Sequence, residues 1–150
     1  MKKSHLFIYL FVLILASCVE NEACREDRDV YMQAGIFNSA NNAALSVDSI
    51  TVFEPGNDSI LYKNRKNINT LKLPLSTTSD MSMFVCRFNQ FTDTLYIYHT
   101  NTEYFLSFNC GTIMTHRIDT ILTTNHYISK ITVNQALVNN YHVQHIQIFR

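Results

Sequence analysis

Apolar and polar residues alternate over short stretches of this chain, and no window of fifteen residues carries a 3.6-residue stripe. A two-residue period sends successive side chains to opposite faces of an extended strand, so the pattern calls for sheets. Segment 31–37 (YMQAGIF) predicts a first strand. Segment 47–53 (VDSITVF) alternates most clearly, with Val47, Ser49, Thr51 and Phe53 against Asp48, Ile50 and Val52. The run 54–58 (EPGND) predicts a turn, and a strand over 59–63 completes a hairpin. Pro74 has no N–H to offer a neighbour, which puts the strand over 71–75 at a sheet edge. Further strands are predicted over 81–89, 93–100, 103–110, 112–120, 127–133 and 143–149. Asn101-Thr102 serves as a tight turn between two of them, and 123–125 (TTN) turns after another. Residues 64–69 and 76–80 read as loops, and 134–141 as a loop or one helical turn. Uneven short strands with an open edge point to an all-β, immunoglobulin-like antiparallel β-sandwich rather than a closed barrel.

Composition narrows the function. The 150 residues are 47% hydrophobic, with 12 Lys+Arg against 12 Asp+Glu. Balanced charge leaves no basic excess for phosphates, so nucleic acid is not an expected partner. The apolar content is too high for a disordered chain. Three Gly and two Pro exclude collagen-like and low-complexity architectures.

The first residues address the chain. Lys2 and Lys3 precede an apolar run over 6–15 (LFIYLFVLIL). As a helix it would span about 15 Å, half of a bilayer's hydrocarbon, so it reads as a secretory signal peptide. It ends in Leu15-Ala16-Ser17-Cys18, which resembles the lipobox of bacterial lipoproteins. The resemblance implies a diacylglyceryl thioether on Cys18, cleavage just before it, and acylation of the new amino group. Each buried CH₂ contributes about 0.8 kcal/mol, so two or three acyl chains hold a protein that spans nothing. The expected organisation is a signal peptide over 1–17, a lipidated N-terminus and tether over 18–29, and a sandwich over 30–150. The expected place is the bacterial outer membrane, facing the periplasm or the cell surface. Loss of Lys2 and Lys3 leaves 10 basic against 12 acidic residues, too little net charge to steer a partner.

Residues 19–29 (VENEACREDRD) hold five acids and two bases without apolar period, as a tether would. Glu20 and Glu22, soon after Cys18, resemble the surface-export signals of some Bacteroides-type lipoproteins. The cysteines are Cys18, Cys24, Cys86 and Cys110. Lipid on Cys18 leaves three, and an exported chain meets oxidising conditions, so one pair is expected. Cys86 shares a strand face with Phe84 and Phe88 and reads as a small buried hydrophobe. Cys24 precedes the first strand and Cys110 ends another just before Gly111. The favoured bridge is therefore Cys24–Cys110, with Cys86–Cys110 left open as the alternative.

Local signatures of catalysis are missing. There is no Gly-x-Ser-x-Gly elbow and no C-x2-C or H-x3-H spacing, and Gly35, Gly56 and Gly111 are isolated. Asp93, Glu103 and Asp119 read as single acids at strand ends, where carboxylates cap turns. His99, His116, His126, His142 and His145 read as surface or loop residues. His142 and His145 fall on opposite strand faces, while His99 and His116 could be cross-strand neighbours. No enzyme activity, metal or cofactor is expected. A binding surface is: if Leu95 and Ile97 fill the core, Tyr96 and Tyr98 form an outward pair. Tyrosines stack on sugars and anchor protein partners. A plainer role for this pair, as side chains that a central strand merely tolerates or another segment covers, stays open.

Several short motifs belong together. Cys24, Asp58-Ser59-Ile60-x-Tyr62, Leu73-Pro74-Leu75, Phe108-Asn109-Cys110-Gly111, Thr124-Asn125 and a final run 146–149 (IQIF) follow one another. This series resembles a family of small uncharacterised lipoproteins of Bacteroides-like bacteria over most of the chain. It implies fold and location but no chemistry. The expectation is a membrane-anchored lipoprotein that binds a protein or glycan partner. A hydrolase with an unrecognised site and a structural spacer of an envelope complex are the alternatives. Three convergent polar side chains in a deep pocket would mark the enzyme, and a flat tyrosine patch the binder.

Overall fold

A computed structural model describes residues 23–56 and 60–150; the leader, Cys18 and part of the turn over 54–58 lie outside the described residues. The described residues form β1 (Met32–Phe37), β2 (Ile50–Phe53), β3 (Ile60–Arg65), β4 (Thr70–Leu73), β5 (Met81–Phe88), β6 (Phe91–Ser107), β7 (Gly111–Thr123), β8 (Lys130–Val133), β9 (Leu137–Val138) and β10 (Ile146–Phe149), and contain no helix. One sheet has the order β4-β1-β10-β8 and the other β3-β2-β5-β6-β7-β9. Together they form the all-β sandwich that the two-residue period requires.

Each sheet turns alternate side chains inward. From the larger come Phe84, Cys86 and Phe88 of β5 and Leu95 and Ile97 of β6; from the smaller come Met32, Ala34, Ile36, Leu71, Leu73, Ile146 and Ile148. All belong to one apolar cluster. Burying a side chain of this size stabilises by about 1.5–3 kcal/mol. Cys86 is free and buried, and burial, with the Asp93 charge behind it, pushes its thiol up to about 12. It stays protonated and serves as packing.

Strand pairing follows the alternation with instructive exceptions. β2 and β3 form the expected hairpin, and β4, next to Pro74, is the expected edge. The pairing is not purely antiparallel: β1 and β10 run parallel from Ala34↔Ile146 to Phe37↔Phe149. Asn101-Thr102 is not a turn either. β6 continues through it for 17 residues. The reversals fall instead at Asn89-Gln90, with Asn89 at φ 51°, and at 108–110, closed by Gly111 at φ 71°. Asparagine tolerates the left-handed region and takes the role that glycine has elsewhere. Residues 134–141 contain β9 and no helical turn.

The acids also have definite places. Asp93 is buried and binds the turn after β7, accepting from the Thr124 hydroxyl (2.7 Å) and the N–H groups of His126 (2.7 Å), Tyr127 (2.7 Å) and Ile128 (2.9 Å). Burial pushes its carboxyl up, but those donors and the nearby His126 outweigh it and hold the pKa below the usual value. Asp119 is not at a strand end. Tyr98 pairs with Thr120 and His99 with Ile118, so Asp119 is the extra residue of a β-bulge, and it accepts the Thr100 hydroxyl at 2.9 Å.

Cys24 and Cys110 are joined, with Cα atoms 4.7 Å apart. Beyond the bridge the arm lies against the sandwich. Asp27 pairs with His142 at 2.6 Å, Asn140 donates to the Asp27 carbonyl at 2.9 Å, and Tyr31 stacks on the His142 ring at 5.0 Å.

Candidate functional site

The inward residues of β5 and β6 leave their neighbours facing out, and register arranges these in rows across the larger sheet. Met81 pairs with Tyr98, and Tyr98 with Thr120. Met83 pairs with Tyr96, and Tyr96 with Leu122. Phe53 pairs with Val85, and Val85 with Thr94. Such neighbours sit about 5 Å apart, so the rows form one continuous face without a charged side chain. Tyr98 is 40% exposed and Leu122 53%; Phe53, Met81, Met83, Val85 and Tyr96 are half-buried. Arg87 closes one end, its guanidinium 4.9 Å from the centre of the Phe53 ring. Tyr96 and Tyr98 thus do face outward, with Leu95 and Ile97 buried beneath them. The methionines and Leu122 beside them were not singled out from the sequence, because only cross-strand register brings them to the same face.

The inner side of the same strands holds a polar cluster. Ser82 Oγ lies 2.9 Å from His99 Nε2. Asn101 Oδ1 lies 2.8 Å from His99 Nδ1 and 2.7 Å from His116 Nδ1. One amide oxygen accepts from both rings, so each imidazole carries its proton on Nδ1 and the Ser82 hydroxyl donates to His99 Nε2. The Ser76 N–H donates to Ser82 Oγ at 2.8 Å, and Asn101 Nδ2 donates to the carbonyls of Ser76 (3.1 Å) and Ser79 (2.9 Å). The two rings meet edge-on at 5.1 Å. Ser82, His99 and His116 are all buried. Burial, and next the neighbouring His99, which makes a second proton on the pair unfavourable, press the His116 pKa down to about 4, so its ring is neutral at pH 7. His116 borders a cleft of about 430 Å³ that Arg28, Leu75, Thr77 and Met114 also line.

Hydroxyl, imidazole and amide here follow the order of nucleophile, base and orienting group. Two details fit a structural role better. Ser82 is enclosed beneath the 76–80 loop with its oxygen already accepting an N–H. Position 101 also needs an amide rather than a carboxylate, because two carbonyls require donors there. The cluster pins the 76–80 loop to β6 and β7.

His99 and His116 are the cross-strand neighbours that the sequence allowed, but they are not surface residues, and neither is His145. His145 Nδ1 accepts the Gln33 N–H at 3.0 Å; burial lowers its pKa and the Leu137 backbone partly offsets that. A signal existed for His99, in phase with Leu95 and Ile97, and for its partner Ser82, in phase with Phe84 and Cys86. Among the described histidines, only His126 and His142 stay exposed. Among the described residues, no three His, Cys, Asp or Glu converge as they would to hold a metal.

No curated protein and no solved structure matches the chain. Residues 49–150, which carry every side chain of the outer apolar face and of the polar cluster, match the model of a family of unknown function (DUF6452), and the chain belongs to that family.

Proposed function

We propose that this protein is a lipoprotein of the bacterial outer membrane, of the Bacteroides type, held by lipid on Cys18 and acting by binding rather than by catalysis. The observation that carries the binding role is the charge-free face of Phe53, Met81, Met83, Val85, Tyr96, Tyr98 and Leu122. Contiguous apolar surface rimmed by polar groups marks an interaction site. A flat face of Met, Val, Leu and Tyr suits the apolar patch of a protein partner better than a hydroxyl-rich glycan. The anchor rests on Leu15-Ala16-Ser17-Cys18, and the Cys24–Cys110 bridge supports export, since disulfides persist in oxidising compartments.

Photo-crosslinking from position 98 in intact native cells tests the surface. We expect one discrete adduct that Leu122→Glu abolishes; an adduct indifferent to Leu122→Glu, or none, refutes this face as the site. Cys18→Ala tests the anchor. The variant should leave the membrane fraction and lose lipid label, and normal labelling would contradict the lipobox.

A hydrolase is the second reading, and Ser82–His99–Asn101 is the observation that favours it. A fluorophosphonate that labels the native protein but not Ser82→Ala would establish that reading. Absence of labelling speaks for the binding module.

A further inference from the structure

The end of the β6–β7 hairpin is unusual among the described surfaces. Phe108 is 98% exposed, Tyr104 56% and Phe105 52%, and the rings of Phe105 and Phe108 meet edge-on at 5.5 Å. From Tyr104 to Thr115 no residue is charged. A phenylalanine held almost wholly in water at a turn gains nothing from its own fold. The disulfide supplies the context. Cys110 belongs to this tip and is bonded to Cys24, six residues after Cys18 in sequence. Fully extended, six residues reach at most about 21 Å. β6 has 17 residues, so its far end lies about 55 Å from the tip at the usual rise per residue. A lipid on Cys18 therefore confines the hairpin tip, and not the far end, to the neighbourhood of the bilayer.

From this we infer that the tip is a membrane-contact element: the Phe105–Phe108 pair enters the interface of the bilayer that holds lipidated Cys18. The inference rests on the reading of Cys18 as the anchor. Aromatic rings favour the boundary between headgroups and acyl chains, where an apolar body is covered and the backbone stays wet. Glu26 beside the tip and Glu103 further up β6 keep the insertion shallow. The contact converts a single lipid attachment into a two-point attachment. It fixes which end of the sandwich faces the membrane, and it presents the outer face of the larger sheet away from the tip.

The chain has no tryptophan, so Phe108→Trp installs a single reporter where the side chain takes no part in the core. The full chain, expressed with its leader and reconstituted in phosphatidylethanolamine–phosphatidylglycerol vesicles, is compared with and without brominated phosphatidylcholine. Phe91→Trp, at the opposite end of β6, is the control. The inference expects blue-shifted emission and about twofold quenching by brominated lipid for Phe108→Trp, with neither for Phe91→Trp. Intact mass separates the two readings. A protein without acyl mass on Cys18 overturns both the anchor and the inference. An acylated Phe108→Trp protein whose indole emits as in water and is not quenched overturns the inference alone.

Discussion

Truncating Asn101 tests whether the buried polar cluster is a structural pin. The side chain makes four hydrogen bonds: Oδ1 accepts from His99 and His116, and Nδ2 donates to Ser76 and Ser79. Asn101→Ala strands two imidazole N–H groups on residues only 1% and 2% exposed. Each buried donor left without an acceptor costs about 1–3 kcal/mol. Water from the cleft at His116 relieves part of this, so we expect a loss of about 3 kcal/mol, with a melting temperature lower by about 10 °C for a domain of this size. Asn101→Asp should cost about as much at neutral pH, because it turns a carboxylate oxygen toward two carbonyls. Urea unfolding of the protein at pH 7, followed by far-ultraviolet circular dichroism, measures both. A loss below about 1 kcal/mol for Asn101→Ala refutes the pin. An Asn101→Asp protein as stable as the native one would show that the two carbonyls do not select the amide.

Three other outcomes follow from the same geometry. His116 has a folded pKa of about 4 against an ordinary 6.5, so the unfolded chain takes up the proton first. The stability this ring permits is present above pH 6.5 and lost as pH falls toward 4, by about 2 kcal/mol once water in the cleft is allowed for. His145 acts in the same direction. The urea midpoint should drop between pH 7 and 4.5, and less steeply in His116→Asn; a flat profile contradicts a neutral buried ring. Asp93 has a lowered pKa, so its stabilisation is present above its ordinary 3.8 and lost as pH falls through the folded value. Asp93→Asn should cost about 2–4 kcal/mol at pH 7 and flatten that acid limb, and unfolding curves at pH 3 and pH 7 decide it. Cys24→Ser opens a loop closed across a separation of 86 residues. Chain entropy puts the loss at about 4–5 kcal/mol, read as a lower urea midpoint with a steeper slope because the unbridged denatured chain is more expanded; an unshifted midpoint refutes it.

Much of this fold was legible because alternation reports burial directly. Phe84, Cys86 and Phe88 declare an inward face, Pro74 declares an edge, and Cys24 and Cys110 flank strand ends that can meet. What alternation cannot report is where a strand stops when polar residues are satisfied inside. Asn101-Thr102 reads as a turn only if Asn101 needs water; four internal hydrogen bonds remove that need and β6 continues. The same blindness hid the burial of His116, whereas His99 stands in phase with Leu95 and Ile97. The outer face was half visible: Tyr96 and Tyr98 stand out within one strand, but Met81, Met83 and Leu122 join them only through pairing between strands. The parallel partnership of β1 and β10 is a tertiary choice that no local pattern announces.

That partnership has a consequence for how the domain closes. Gln33 of β1 and His145, at the entry to β10, touch across 112 residues, and β10 lies between β1 and β8 in the smaller sheet. Until β10 docks, that sheet is split in two and cannot seal the core. High contact order slows folding, and here the smaller sheet closes only when segments 112 residues apart have met, so both halves of that sheet depend on one long-range pairing.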